Sequence, residues 1–349
     1  MLILTRADLE AVLGVEDVVA AVEEAFRQYA RGAVRLSPRQ SLGLEGRDAL
    51  LLMPCVLPGA GALGTKTVTV CFGNPARGLP TIMASYLLHD PATGEPLAFM
   101  EAGYLTALRT GATSAAAAKR LARPTSRVVA CFGAGVQAAF QLRCLKAVLP
   151  LARVDVVSRS ARTAEAFAER LSGTLGLRIV PARSASAAIA EADVVVTATT
   201  SPTPVFDGRE LRPGTHVDAV GSFQPTTREL DAETMRRARV YVDTFEGAWH
   251  EAGDVRLAIE EGAIGRDDVI GELADLVTGR RPGRRSDDEI TCFKSVGFAA
   301  EDAATARLAY DRARATGRGL SIELGGWPGG GQEHRAREVR SEASQRTDG

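Results

Sequence analysis

Three groups of residues in this 349-residue chain have the types and spacing to do chemistry. The first is Gly133-Ala134-Gly135-Val136-Gln137-Ala138, which follows a short apolar run and opens a helical stretch. Gly133 permits a tight turn, Gly135 lets the backbone approach a pyrophosphate, and Ala138 allows close helix–strand packing. The helix start offers free N–H groups and the positive dipole end to phosphates. The motif therefore suits a dinucleotide; the alternative is a glycine turn kept for packing. The second group is Val157-Ser158-Arg159-Ser160, at the end of the next strand. NAD sites usually carry an acid there, bonded to the ribose 2′-OH. Here Ser158 cannot repel a 2′-phosphate, Arg159 can pair with it bidentately and Ser160 can donate a hydrogen bond. NADP(H) is favoured and NAD(H) is possible, with Arg159 as an ordinary surface arginine the alternative. The third group is a pair of cations in apolar surroundings. Lys66, within Gly64-Thr65-Lys66-Thr67-Val68-Thr69-Val70, shares a strand face with Val68 and Val70. Its desolvation is costly unless an anion such as a substrate carboxylate pairs with it; otherwise it is a strand-end lysine reaching for water. Arg109 sits in a helix almost free of other charge until Lys119. Its fork suits a carboxylate or phosphate, or else a buried structural ion pair. Arg39, in Ser37-Pro38-Arg39-Gln40, reads from local sequence as a loop charge.

Other reactive residues carry less. His89, His216, His250 and His334 show no paired metal spacing, so no metal is expected. There is no nucleophile elbow, zinc-protease helix or Walker loop. The five cysteines (Cys55, Cys71, Cys131, Cys144 and Cys292) are an odd, scattered set and read as reduced thiols of a cytoplasmic protein. In Thr291-Cys292-Phe293-Lys294-Ser295-Val296-Gly297, Ser295 and Gly297 are better neighbours of a cofactor than Cys292 is a nucleophile. Thr199 is assigned to the same cofactor crevice. Met53, Phe72 and Phe223 could line a substrate pocket and serve equally well as core.

The elements that must position these groups follow from periodicity. Residues 5–31 read as helix, started by Thr5 and Asp8. Residues 49–56, 62–72, 81–88 and 97–100 read as strands, the last two joined by the turn-rich stretch 90–96. They predict an antiparallel sheet in an α+β region that ends with an alanine-rich helix over 103–122. From Pro124 onwards, short apolar strands at 128–132, 154–157, 178–180, 193–198, 216–220 and 240–243 alternate with helical or turn segments. Alternation of this kind implies a parallel, doubly wound sheet. A last helix at 296–315 is expected to return to the first region. The fold class is thus α/β, with a Rossmann-type domain over 123–296 inserted in a substrate and dimerisation domain formed by 1–122 plus 297–327. The polar, glycine-rich stretch 328–349 lacks periodicity and reads as a disordered tail.

Composition agrees with a folded enzyme-sized protein. Apolar residues at 45% and charged residues at 24% are those of an ordinary globular chain. A net charge of −1 without a basic block argues against nucleic acid as partner. No apolar run reaches the ~18 residues of a membrane span, and the first residues lack the pattern of a secretory leader.

Taken together, the blocks Met53-Pro54, Lys66-Thr67-Val68-Thr69, Thr106-Ala107-Leu108-Arg109-Thr110, Gly133 to Ala138, Ala219-Val220-Gly221, Arg228-Glu229-Leu230-Asp231, Gly253-Asp254-Val255 and Phe293 to Gly297 resemble the ornithine cyclodeaminase/mu-crystallin family over nearly the whole chain except the tail. The resemblance implies a homodimer. It implies that Arg39, Lys66 and Arg109 surround a substrate carboxylate beside the nicotinamide, and that Thr110 lies near the pyrophosphate. Cyclodeaminases and archaeal-type alanine dehydrogenases of the family carry an acid/base Asp where this chain has Phe223, which cannot transfer a proton. The chain is more similar to the mu-crystallin and ketimine reductase branch. The expected activity is NAD(P)H-dependent reduction of a 2-imino acid, a cyclic ketimine such as pyrroline-2-carboxylate or piperideine-2-carboxylate, to the amino acid. Lys66 and Arg109 are the expected catalytic residues, with Arg39 and Met53 binding substrate and Ser222 or Gln224 orienting the imine nitrogen or a water. Alternatives are an open-chain imino acid reductase or amino acid dehydrogenase, a cyclodeaminase, and a ligand-binding protein that holds NADPH without turnover.

Overall fold

The computed structural model describes residues 1–46 and 48–324; the stretch read as a tail, 328–349, lies outside the described residues. The first region runs β1 (Leu2–Leu4), α1 (Arg6–Val12), α2 (Val15–Ala30), β2 (Arg35–Leu36), β3 (Gln40–Gly43), β4 (Ala49–Leu57), β5 (Ala62–Val70), β6 (Ile82–His89), β7 (Pro96–Glu101) and α3 (Ala102–Leu121). The second begins β8 (Val128–Phe132), α4 (Val136–Val148), β9 (Arg153–Val157), α5 (Ala161–Leu175), β10 (Arg178–Pro181), α6 (Ala185–Ile189), β11 (Val194–Thr197) and β12 (His216–Ala219). It continues α7 (Ala232–Arg237), β13 (Arg239–Val242), α8 (Phe245–His250), α9 (Gly253–Glu260), β14 (Val269–Glu272), α10 (Leu273–Thr278) and β15 (Thr291–Lys294), before α11 (Ala299–Ala315) and β16 (Leu320–Ser321).

The expected first helix is two. Thr5 and Asp8 do form a capping box at the start of α1, but the chain turns extended at Leu13 and Gly14 before α2. The expected antiparallel sheet is mixed: β4, β5, β6 and β7 run antiparallel, while β1 adds parallel to β7 and pairs antiparallel with β16. Strand β5 alternates buried and half-buried residues, and Lys66 falls on the buried face with Val68 and Val70. Helices α3 and α11 pack on this sheet. The sheet pairing puts Leu42, Leu50, Met83, Leu87 and Phe99 on the opposite face.

The second sheet is parallel throughout, in the order β10-β9-β8-β11-β12-β15-β13-β14. Its strands β8, β11 and β12 are almost wholly buried, as a sheet with helices on both faces requires. Strands β1 and β14, of three and four residues, are too short for alternation to reveal. The cysteines are all free, with Cys55, Cys131, Cys144 and Cys292 buried.

Helices α3 and α4 are in tight contact at Gly111, where a Cβ would stand 2.6 Å from the Phe140 carbonyl and 2.8 Å from the Cys144 sulfur. Gly111→Ala must push α4 outward. Unfolding in urea should show a loss of about 1–3 kcal/mol, the usual cost of overpacking a tight contact.

Candidate active site

The strand order reverses at β8, so the loop after it opens the crevice in which parallel α/β sheets bind ligands. Gly133 has φ 110°, in the left-handed region, and a Cβ there would lie 2.4 Å from the Ala198 carbonyl. Gly135 caps α4 in extended conformation without a side-chain cap bond, and nothing lies within 4 Å of where its Cβ would be. The first-turn N–H groups of α4 thus face open space behind a glycine, and Val136 is 66% exposed beside them. Gln137 donates to the Ala107 carbonyl at 3.4 Å, which sets the Thr110 segment of α3 beside this helix start. The Thr110 hydroxyl itself donates to the Thr106 carbonyl. At the end of β9, Ser160 caps α5 through Thr163, and its N–H donates to the Ser158 hydroxyl. Arg159 is exposed and makes no hydrogen bond or ion pair among the described residues. The uncapped helix start fits the pyrophosphate of a dinucleotide.

The two cations of the first region converge in a buried cluster. Lys66 Nζ lies 2.7 Å from Asp302 Oδ2, Arg109 Nε donates to Asp302 Oδ1 at 2.8 Å, and Arg109 Nη1 donates to Glu301 Oε2 at 2.7 Å. All four residues are at most 4% exposed. Asp302 therefore bridges β5 and α3 from the first turn of α11. The acids also complement the dipole of that helix. Burial pushes the Lys66 ammonium down to about 8, with Arg109 adding to the shift and Asp302 opposing it. Burial pushes the Glu301 carboxyl up to about 7 against the pull of Arg109. Burial also works against the charge of Asp302, but Arg109 and Lys66 hold it below the usual carboxylate range. Arg109 is in a buried ion pair, the second of its two readings.

That cleft, of about 200 Å³, is lined among others by Arg39, Met53, Thr244, Glu251, Gly297 and Phe298. Met53 is the register partner of Lys66, and Gly297 stands so close to Arg109 that a Cβ would lie 3.1 Å from its Nη2. The cation cluster thus sits one layer beneath the cleft. Arg39 is no free loop charge. It donates to the carbonyls of Val296 and Gly297 and pairs with Glu251 at 2.8 Å, while its Nε is buried without a hydrogen-bond partner. Ser295 donates its hydroxyl to Asp243, whose carboxylate also gathers the N–H groups of Val296 and Gly297. Ser222 is buried and its hydroxyl donates to the Thr227 carbonyl, and Gln224 starts a turn closed by Thr227. Thr199 abuts Gly133.

Sequence reasoning missed the acids. Glu301 and Asp302 stand side by side in Ala299-Ala300-Glu301-Asp302-Ala303-Ala304, an apolar helix start that could have flagged them; first-turn acids ordinarily need no more than the helix dipole to explain them. His216 is a buried core histidine facing Thr291, and burial holds its pKa down at about 3. Among the described residues no group of three or more His, Cys, Asp or Glu is placed to hold a metal ion.

Comparison with known proteins gives the setting. The model of the ornithine cyclodeaminase/mu-crystallin family matches residues 1–317. A Delta(1)-pyrroline-2-carboxylate reductase of Bacillus cereus is 36% identical over 93% of this chain and 100% of its own. The solved Delta(1)-pyrroline-2-carboxylate reductase of Thermococcus litoralis, in complex with NADH and L-proline, is 40% identical, covers 92% of this chain and 100% of that one, and superposes with a TM-score of 0.90. An archaeal alanine dehydrogenase dimer with bound NAD is 38% identical, covers 93% and 99%, and has a TM-score of 0.87.

Removing Asp302 leaves Lys66 and Arg109 as neighbouring buried cations. Asp302→Ala should cost about 3–5 kcal/mol in denaturant unfolding, as breaking a buried pair from one side does.

Proposed function

The chain belongs to the ornithine cyclodeaminase/mu-crystallin family, and on that premise we propose that it reduces a 2-imino acid, best a cyclic ketimine such as pyrroline-2-carboxylate or piperideine-2-carboxylate, to the amino acid. The observation that carries this reading is the pair Lys66 and Arg109 buried directly beneath an Arg39-lined cleft small enough for an amino-acid-sized ligand. Likeness to the two pyrroline-2-carboxylate reductases supports it.

A nicotinamide cofactor, when bound, supplies the hydride. The residues of the chain bind, orient and handle the proton. Arg39 meets the substrate carboxylate first, with an Nε that has no other partner. Met53, flexible at three bonds, gives way and admits the carboxylate to Lys66 and Arg109. A third carboxylate in this cluster would add a buried charge; Glu301, poised near 7, takes up a proton and removes it. A carboxylate clamped at two or three points fixes one face of the C=N bond for attack, which supplies several kcal/mol by orientation alone. The cyclic iminium is electrophilic once protonated, and Lys66 is the residue that can keep or restore that proton.

We read the cofactor as NADP(H) in preference to NAD(H), because Arg159 is free to pair with a 2′-phosphate. We read the assembly as a homodimer formed over the outer face of the first sheet. Leu42, Met83 and Phe99 lie on that face at 62%, 41% and 43% exposure, and an exposed apolar face of this kind calls for a partner. The same domain division, 1–122 plus 297–327 around 123–296, goes with this reading, as does a cytoplasmic place for a protein with five free thiols. The similar likeness to an alanine dehydrogenase favours a second reading, oxidation and reduction of an open-chain amino acid. The side chain at position 223 counts against it, since Phe223 can carry no proton.

Oxidation of NADPH or NADH followed at 340 nm tests the main reading. Turnover with pyrroline-2-carboxylate that falls at least about a hundredfold in Lys66→Ala and Arg109→Ala, the loss expected when positioning and proton transfer fail, is the expected result. Turnover only with pyruvate and ammonia would replace it by the second reading. With Lys66 needed as ammonium, kcat/KM should fall as pH rises through about 8, and a rate still climbing at pH 9 would exclude Lys66 as donor. Arg159→Ala should weaken NADPH by about tenfold or more and leave NADH nearly unchanged, the size of one charge-assisted phosphate contact; equal losses would remove the NADP(H) preference.

A further inference from the structure

We propose that Glu229 is the positioning residue that builds the nicotinamide-side wall of the cofactor crevice. The inference rests on the reading that this crevice takes a dinucleotide. Glu229 is wholly buried, yet it belongs to neither ion cluster of the cleft. Its carboxylate is the meeting point of two strand ends. Oε1 accepts the Thr199 N–H at 2.6 Å, and Oε2 accepts the Thr197 hydroxyl at 2.9 Å, the Gly221 N–H at 2.8 Å and the Ser222 N–H at 3.2 Å. Thr197 and Thr199 come from the C-terminal end of β11; Gly221 and Ser222 come from that of β12, its neighbour in the sheet. Gly221 is pressed against the carboxylate, since a Cβ there would lie 2.5 Å from both oxygens.

The arrangement is held from behind by a second buried pair. Lys294, at the end of β15, donates to the Ser222 carbonyl at 2.5 Å and pairs with Asp254 at 2.8 Å. Asp254 accepts the N–H groups of Glu229 and Leu230. One acid thus fixes Ser222 by its N–H and one amine fixes it by its carbonyl, so three adjacent strands share a single locked edge.

This edge reaches the cofactor loop directly. Thr199, whose N–H Glu229 holds, packs against Gly133, and the Ala198 carbonyl is the atom that forbids a side chain there. A dinucleotide whose pyrophosphate lies on α4 must run its adenosine half over the β9 end, where Arg159 stands, and its nicotinamide half over the β11 and β12 ends. All four donors to the Glu229 carboxylate belong to the second run, while the Gly133 turn is tied to β9 by its own N–H on the Val157 carbonyl. The Ser222 hydroxyl is committed to the Thr227 carbonyl.

The location gives a test that separates positioning from general damage. ADP-ribose carries the adenosine and pyrophosphate parts of the cofactor and lacks the nicotinamide. Binding of NADH and of ADP-ribose, in their 2′-phosphorylated forms if those bind the wild type better, is measured by calorimetry on the full-length protein. In Glu229→Gln, which can accept at one oxygen only, NADH should bind about tenfold more weakly while ADP-ribose is unchanged, the size of a lost charge-assisted contact. Equal losses for both ligands, or no loss for either, would overturn the proposal. If Glu229→Gln does not fold, Thr197→Val removes one donor at nearly constant shape. It should weaken NADH about threefold, the smaller effect of one hydrogen bond, and again spare ADP-ribose; a loss shared by both ligands would overturn the proposal there too. A wild type that binds neither ligand would instead refute the dinucleotide reading on which the proposal rests.

Discussion

The bridge made by Asp302 is the constraint on which the substrate side of the molecule depends. One carboxylate holds a lysine from β5 and an arginine from α3, both more than 190 positions earlier in the chain. Two like charges so close in a dry site repel strongly. They can stay there only because the last helix returns with Glu301 and Asp302 at its first turn. The strand, the helix and the returning chain are therefore one unit, and the cations are held in one geometry. Such preorganisation is what a site needs if orientation is its main contribution.

The same logic recurs at the ends of the parallel strands with different partners. Asp243 gathers the N–H groups of Val296 and Gly297 and so sets the segment that Arg39 grips by its carbonyls. Buried acids, each satisfied by several backbone donors, take the place of long capping elements at the ends of the parallel strands. Burying a charge is expensive, and the expense is met only where two or more good donors converge. That requirement makes each loop conformation nearly unique.

How much of this was legible in the sequence follows the range of the interactions. Local patterns foresaw what local physics decides: the alternation that buries Lys66, the strand at Val128–Phe132, the glycine turn and the Thr5–Asp8 cap. They went astray where tertiary packing overrides periodicity, as at Leu13-Gly14, where one amphipathic pattern becomes two helices. The partners of Lys66 and Arg109 were invisible for a different reason. Glu301 and Asp302 look like ordinary first-turn acids, and only the return of α11 onto the first sheet brings them to the cations. Arg39 lies in a loop as read, but its carbonyl acceptors were out of reach of local sequence, more than 250 residues along the chain.

The two clusters divide the work in a way that follows from their charges. Around Lys66 and Arg109 the carboxylates are side chains able to titrate, and Glu301 sits near neutrality. The charge there can adjust near neutral pH. Asp243 is used otherwise. Its four donors are the backbone N–H groups of Thr244, Val296 and Gly297 and one hydroxyl, none of which can change its proton count near neutral pH. A site that must admit a new charge needs a group that can give up its own; a loop that must keep its shape needs donors that cannot. The chain places the first kind under the cleft and the second kind at the strand ends beside it.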